Sequence, residues 1–159
     1  MLKLLELLKN NAKLTNEQLA SMLGMSVEDV AETVAKLEKD KTIVCYSAVV
    51  NWDKTEKDTT TALIEIKVTP QRGHGFEAIA ERIFQFPEVR SLYLVSGAYD
   101  FLAVVEGKTL KDVATFVSSR LAPLDQILSC ATHFMLKKYK DDGVVFVENE
   151  PPVREEGLF

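Results

Sequence analysis

The sequence is poor in the residues that build staples and metal centres. It has two cysteines, Cys45 and Cys130, far apart and in no CxxC pair, which argues against a disulfide framework or a cysteine zinc site. Cys130 lies in an apolar run and reads as a buried, reduced thiol. His74 and His133 are the only histidines, and neither has a ligand partner at metal-binding spacing. No GxSxG, P-loop or HExxH motif is present, and Gly73-His-Gly75 with the nearby Arg72 is too little for a phosphate cradle. No apolar run approaches the roughly 18 residues that cross a bilayer. Glu6 interrupts the apolar N-terminus and no small-residue cleavage site follows, so the chain reads as cytoplasmic. A basic surplus is missing too: the net charge of -5 excludes a chain that coats nucleic acid indiscriminately, while leaving a local DNA-reading surface open.

What is present is a globular pattern. Hydrophobic residues make up 47% of 159 residues, enough for a core. In the first third, Leu2, Leu5, Leu8 and Ala12 recur at helical spacing. Thr15 with Gln18 three residues on predicts a capping box for a second helix, and Gly24 predicts its left-handed end. Ser26 opens a third helix with Asp29 placed to reach back to the cap, and Val30, Val34 and Leu37 give it one apolar stripe. Two capped helices around a glycine turn have helix-turn-helix spacing. An ordinary helical hairpin is the alternative. The β-branched run 42–51 predicts a strand serving as a wing or connector.

After a polar linker at 53–59 the pattern alternates. Strands are expected over 61–69, 89–96, 101–106 and 127–139, with helices after Phe76 and after the Thr109 cap. That order, β-α-β-β-α-β, is the ferredoxin-like split unit. The fold class is therefore α+β: a winged helix-turn-helix domain at 1–52, then a ferredoxin-like βαββαβ domain at 60–140, then an acidic tail at 141–159. One phase of the strands puts Leu63, Ser91, Tyr93, Val95, Leu102, Val104, Thr132, Phe134 and Leu136 on the sheet face away from the helices. A face that apolar needs cover, and a second copy of the chain is the simplest source. Trp52 is expected to pack the connector against a neighbour.

Several segments resemble the Lrp/AsnC (feast-famine) regulators. They are Leu19-Ala-Ser-Met-Leu-Gly-Met-Ser26, Leu37-Glu-Lys-Asp-Lys-Thr-Ile43 on to Tyr46, Val95-Ser-Gly-Ala-Tyr-Asp100, and Ala122-Pro-Leu-Asp-Gln-Ile-Leu-Ser-Cys-Ala-Thr132. The resemblance covers residues 1 to about 140. It implies a transcriptional regulator rather than an enzyme, with no cofactor and a RAM-type second domain. It further implies dimers that build up to octamers, and small effectors, usually amino acids, bound near the glycine-x-tyrosine-aspartate turn. The helix from Ser26 to Lys39 would read double-stranded DNA. This chain departs from the family there: Thr33 stands where members often carry Arg, and Lys41 where they often carry Gly.

Residues 1–59 hold eight Lys, no Arg and ten acidic residues, and Glu28, Asp29 and Glu32 crowd the start of the third helix. The candidate DNA contacts are Lys13, Ser26, Thr33, Lys36, Lys39 and Lys41, with Lys36 and Lys39 one turn apart. Asn16 and Gln18 either cap the second helix or meet phosphate. The candidate effector residues are Gly97, which permits positive φ and close approach, Tyr99 as a pocket wall, Asp100 for an α-ammonium, and Thr132 as a hydroxyl on the last strand. The alternative is a tight hairpin in which Asp100 only caps its own backbone. Two other functions stay on the page. One is an effector-binding or assembly module with a faded DNA face, which the acidic helix motivates. The other is a metal-free tetrapyrrole decarboxylase of related fold, which five scattered Arg and two His fit poorly.

Overall fold

A computed structural model describes residues 1–69 and 75–146. Arg72, Gly73 and His74 of the loop, and most of the acidic tail, lie outside the described residues. The chain divides into two compact units, Met1–Val50 and Asn51–Phe159.

The first unit is three helices: α1 (Leu2–Asn10), α2 (Asn16–Leu23) and α3 (Val27–Lys39). Its core is Leu4, Leu8, Leu19, Ala20, Val30 and Leu37. Each large aliphatic buried there contributes on the order of 1.5–3 kcal/mol. The inward stripe of α1 is thus Leu4 and Leu8, and Leu2, expected on that stripe, is 74% exposed. The α2 start is as expected: Thr15 Oγ1 accepts from the Gln18 N–H at 3.3 Å, and Gln18 Oε1 accepts from the Thr15 N–H at 2.9 Å. Gly24 ends α2 in the left-handed region, φ 67. Ser26 caps α3 by accepting from the Asp29 N–H at 3.0 Å, while the expected return bond from the Asp29 carboxylate is not among the contacts of that cap.

The strand expected at 42–51 does not form. Residues 44–50 are exposed and belong to no sheet among the described residues, with Val44 76% and Val49 49% exposed. A β-branched segment becomes a strand only with a neighbour to take its N–H and C=O groups, and this segment has none among the described residues. Trp52 starts a short 3-10 turn, Trp52–Lys54, and carries the Lys57 ammonium 4.1 Å above its ring.

The α3 exit holds a strained residue. Lys41 sits at φ 64, where an L side chain crowds its own backbone. Lys41→Gly should therefore stabilise the helical unit by up to about 1 kcal/mol. Thermal melts by circular dichroism check this as a rise of a few degrees.

The second unit has the expected β-α-β-β-α-β order: β1 (Thr60–Val68), α4 (Glu77–Phe84), β2 (Val89–Leu94), β3 (Phe101–Gly107), α5 (Leu110–Phe116) and β4 (Ile127–Phe134). The sheet order is β2-β3-β1-β4, with every neighbouring pair antiparallel. Thr109 and Asp112 cap α5 reciprocally, and a π-helical turn, Val117–Leu121, carries the helix to its end. Ala62, Ile64, Ile66, Phe101, Ala103 and Val105 line the helix-facing side and pack on Ile83, Val113, Phe116 and Leu121.

The strand phases correct part of the expected outer face. Leu63, Tyr93, Leu102 and Val104 do lie on the side away from that core, matched by the pairings Leu63↔Val104 and Tyr93↔Leu102. β4 ends at Phe134 instead of running to 139, and Phe134 packs against the helix-side core. Thr132, two residues from Phe134 and paired with the buried Ile64, shares its phase. The outward residues of β4 include Leu128, Ser129, Ala131 and His133, and Leu136 lies beyond the strand. His133 Nε2 lies 3.4 Å from Glu65 Oε1 on that outer face.

The tail, expected to be without regular structure, begins with two short strands. Lys140–Asp141 (β5) and Val144–Val145 (β6) form a hairpin. Asp142 and Gly143, both at positive φ, make its two-residue turn, the sequence pair such turns demand. Lys138 and Asp141 brace it with an ion pair at 2.8 Å.

Candidate DNA interface and effector turn

The α3 face away from the core carries Glu28, Asp29, Glu32, Lys36 and Lys39, all exposed. Their spacing of three and four residues aligns them along one side of the helix. Acidic groups occupy its first turns and lysines its last. That ordering suits the helix dipole, and it leaves Lys36 and Lys39 as adjacent cations. Thr33 lies on the same helix, but its hydroxyl donates to the Asp29 carbonyl at 2.7 Å, so its one donor is already used within the helix. The Ser26 hydroxyl oxygen likewise serves the cap. Lys41 follows α3 directly, while Lys13 lies in the α1–α2 turn, where its N–H donates to Asn11 Oδ1. Asn16 opens α2, and the Gln18 side chain is spent on the capping box.

Two carboxylates of this unit are held below their ordinary values. For Glu17 the main cause is the Thr15 hydroxyl, and for Asp40 it is the Thr42 side chain. Both therefore stay ionised and keep the unit acidic outside the lysine pair.

In the second unit the β2–β3 turn brings Gly97, Tyr99 and Asp100 together. Gly97 does not use positive φ, contrary to expectation. Its open space is real, since an added Cβ would meet nothing within 4 Å. Asp100 is tied firmly into the fold. Its N–H donates to the Ile66 carbonyl at 3.0 Å, and its carbonyl accepts from Val95 at 2.8 Å. Its Oδ2 accepts from the Val68 N–H at 2.8 Å. The β1–β4 register slips between Lys67 and Val68, and the carboxylate meets the N–H at that irregularity. Asp100 thus caps β1 rather than its own turn, and only its second oxygen is left for a ligand. Thr132 is not brought to this turn: it stands on β4, with β1 between it and β3. Asp100→Ala should accordingly cost about 1–2 kcal/mol of stability, because a part-buried N–H loses a charged acceptor. Denaturant unfolding of the variant measures that.

Among the described residues no group of three or more His, Cys, Asp or Glu could hold a metal, and no helix is long and apolar enough to cross a membrane. Burial pushes the Cys130 thiol up, and Cys130 packs on the core, while Cys45 is exposed.

A capped helix-turn-helix followed by a four-stranded α+β domain has the build of a DNA-binding transcriptional regulator with a ligand-binding domain, and the domains and relatives it matches are regulators, not enzymes. Residues 2–38 match the AsnC-type helix-turn-helix domain, and residues 61–145 match the Lrp/AsnC ligand binding domain. The chain belongs to the Lrp/AsnC family. It is 48% identical over 145 residues to the uncharacterized HTH-type transcriptional regulator YugG of Bacillus subtilis, covering 91% of this chain and 87% of that one. It is 28% identical to the HTH-type transcriptional regulator LrpA of Pyrococcus horikoshii, covering 86% and 94%. In fold it is similar to the Neisseria meningitidis transcriptional regulator NMB0573, solved as an L-Met complex. That likeness has a TM-score of 0.70 at 22% identity and covers 87% of this chain and 89% of that one.

Proposed function

We propose that this chain is a cytoplasmic regulator that reads double-stranded DNA as a homo-oligomer and responds to a small effector of the amino-acid class. The observation that carries the DNA reading is the exposed pair Lys36 and Lys39 on a capped second helix of a helix-turn-helix. Phosphate contacts from these lysines, with Lys13 and Lys41 flanking, anchor the helix, and Ser26 and Thr33 lie along it. One protomer offers few cations, so affinity rests on two or more heads engaging together.

Two surfaces support assembly. The outer sheet face presents Leu63, Tyr93, Leu102 and Val104, and Tyr93 is 54% exposed. The unpaired run 44–50 is an open strand edge, which the same run of a second copy would close. Dimers formed this way, and rings up to octamers built from them, place several heads on one DNA. The effector reading rests on the room at Gly97, the half-exposed Tyr99 beside it and the second carboxylate oxygen of Asp100. Thr132 is the least supported member of that set. The L-Met complex of a regulator of similar fold supports the ligand class.

The test is fluorescence anisotropy with DNA from upstream of the chain's own gene against scrambled DNA, over a salt series. Selective, salt-sensitive binding supports the reading. Equal weak binding to both, with amino acids present, gives the second reading instead: an effector-binding assembly module, which the exposed Glu28, Asp29 and Glu32 favour. Glu28→Gln with Glu32→Gln should raise affinity for DNA by roughly tenfold, since two carboxylates near phosphate are removed. The same anisotropy titration reads it.

A further inference from the structure

The outer sheet face carries an acid–base pair among its apolar residues. Glu65 stands on β1 with Leu102 of β3 opposite it on one side and Ala131 of β4 on the other. Its Oε1 lies 3.4 Å from Nε2 of His133, and the two side chains are 37% and 57% exposed, so both reach water in a lone protomer. By strand phase the further charged groups toward this face are Lys67 and Glu106. Lys67 is exposed and stands opposite Ser129, a full turn of the pleat away from His133. Glu106 is held by Arg90 at 3.4 Å on the β2 side, where the Tyr93 phenol also lies. β4 is an edge strand; His133 is its one charged or basic residue, and the Cys130 thiol packs on the core. Glu65 is therefore the charge that faces His133.

We propose that this pair takes up a proton when a second copy covers the outer face, so that assembly of the chain tightens as the pH falls from about 8 to 6. The inference rests on the assembly reading above and adds its regulation. A carboxylate that loses its water beside Leu102 and Leu63 needs a counter-charge. Imidazolium at His133 supplies it, whereas neutral imidazole leaves Glu65 covered and uncompensated. The assembled state therefore holds the proton more tightly than the lone protomer does. Its added stability is complete below the ordinary imidazole range, near about pH 6.5, and is lost as the pH rises above it. A two-fold contact uses the same patch on both copies, so the effect counts once for each.

The test is the self-association constant of the full chain, measured by analytical ultracentrifugation at steps between about pH 8 and 6, in about 0.5 M sodium chloride so that the falling net charge is screened. The expected result is a dissociation constant lower at pH 6 by about fivefold for each copy in the contact. The two members of the pair should shift the profile in opposite directions. Glu65→Gln removes the charge that needs neutralising, so this variant should associate at pH 8 at least as tightly as the unsubstituted chain does at pH 6. His133→Gln keeps that charge and loses its partner, so it should stay as weak at pH 6 as the unsubstituted chain is at pH 8. Both profiles should be flat, with far-ultraviolet dichroism unchanged. The other histidine serves as the control, and His74→Gln should keep the full pH response. An assembled chain with a flat profile, a response that survives His133→Gln, or one that His74→Gln abolishes would each overturn this inference and leave the assembly reading standing. A chain that stays a protomer at every pH overturns both.

Discussion

Val104→Asp should leave the second unit folded and take its assembly apart. Val104 lies on the outer sheet face, paired with Leu63 on one side and Ser91 on the other, where a carboxylate in a lone protomer reaches water. Covered by a second copy, the same carboxylate loses its water and meets Leu63, Tyr93 and Leu102. An unpaired charge in such an interface costs about 3 kcal/mol or more, close to two orders of magnitude in Kd for each copy that carries it. Sedimentation equilibrium should show the protomer mass where the unsubstituted chain is assembled, with unchanged far-ultraviolet dichroism. A variant that assembles at the same concentration would move the interface off this face. The neighbouring polar pair, Glu65 with His133, lies on the β4 side of the same face, so the most apolar contact is expected over β2, β3 and the centre of β1.

Lys36→Ala with Lys39→Ala should weaken DNA binding by about two orders of magnitude at 0.1 M salt for each head engaged. The reasoning is electrostatic. Each phosphate neutralised releases condensed counterions, so each lysine lost removes about one unit from the slope of log affinity against log salt. The loss should fall equally on upstream and scrambled DNA, because the contacts proposed for these lysines are to phosphates and not to base edges. Both side chains are exposed on α3, away from Val30 and Leu37, so stability should be unaffected. Anisotropy over a salt series, paired with a thermal melt, separates the two effects. An unchanged slope would assign the backbone contacts elsewhere in the unit.

The elements that were legible in the sequence are those whose determinants are local. Thr15 with Gln18, the Thr109 cap and Gly24 each act within one helical turn, and all three do in the structure what the sequence predicts, Asp112 completing the Thr109 cap as a reciprocal box. The β-α-β-β-α-β order was legible for a related reason, since each element carries its own period. What escaped needed information from elsewhere. The run 42–51 has a strand composition, but pairing requires a second strand, and none lies beside it among the described residues. β4 carries apolar residues in both phases, Ile127, Cys130 and Phe134 on one side and Leu128 on the other, so its inner face was fixed only by packing. The Asp142-Gly143 turn is plain in the sequence, yet its strands are two residues each, too short to carry a period of their own. At the candidate effector turn the residue types were legible, but not the bond from the Asp100 carboxylate to the Val68 N–H. That bond depends on an irregularity in a strand more than thirty positions away.

The two hydrophobic cores share no residue. Leu4, Leu8, Leu19 and their neighbours close one, and Ile64, Ile83, Phe101 and theirs close the other. Each unit thus has a core of its own, and calorimetry is expected to resolve two melting transitions. For a lineage this is a freedom. The helical unit can accept substitutions, even destabilising ones, that leave the core of the sheet unit untouched.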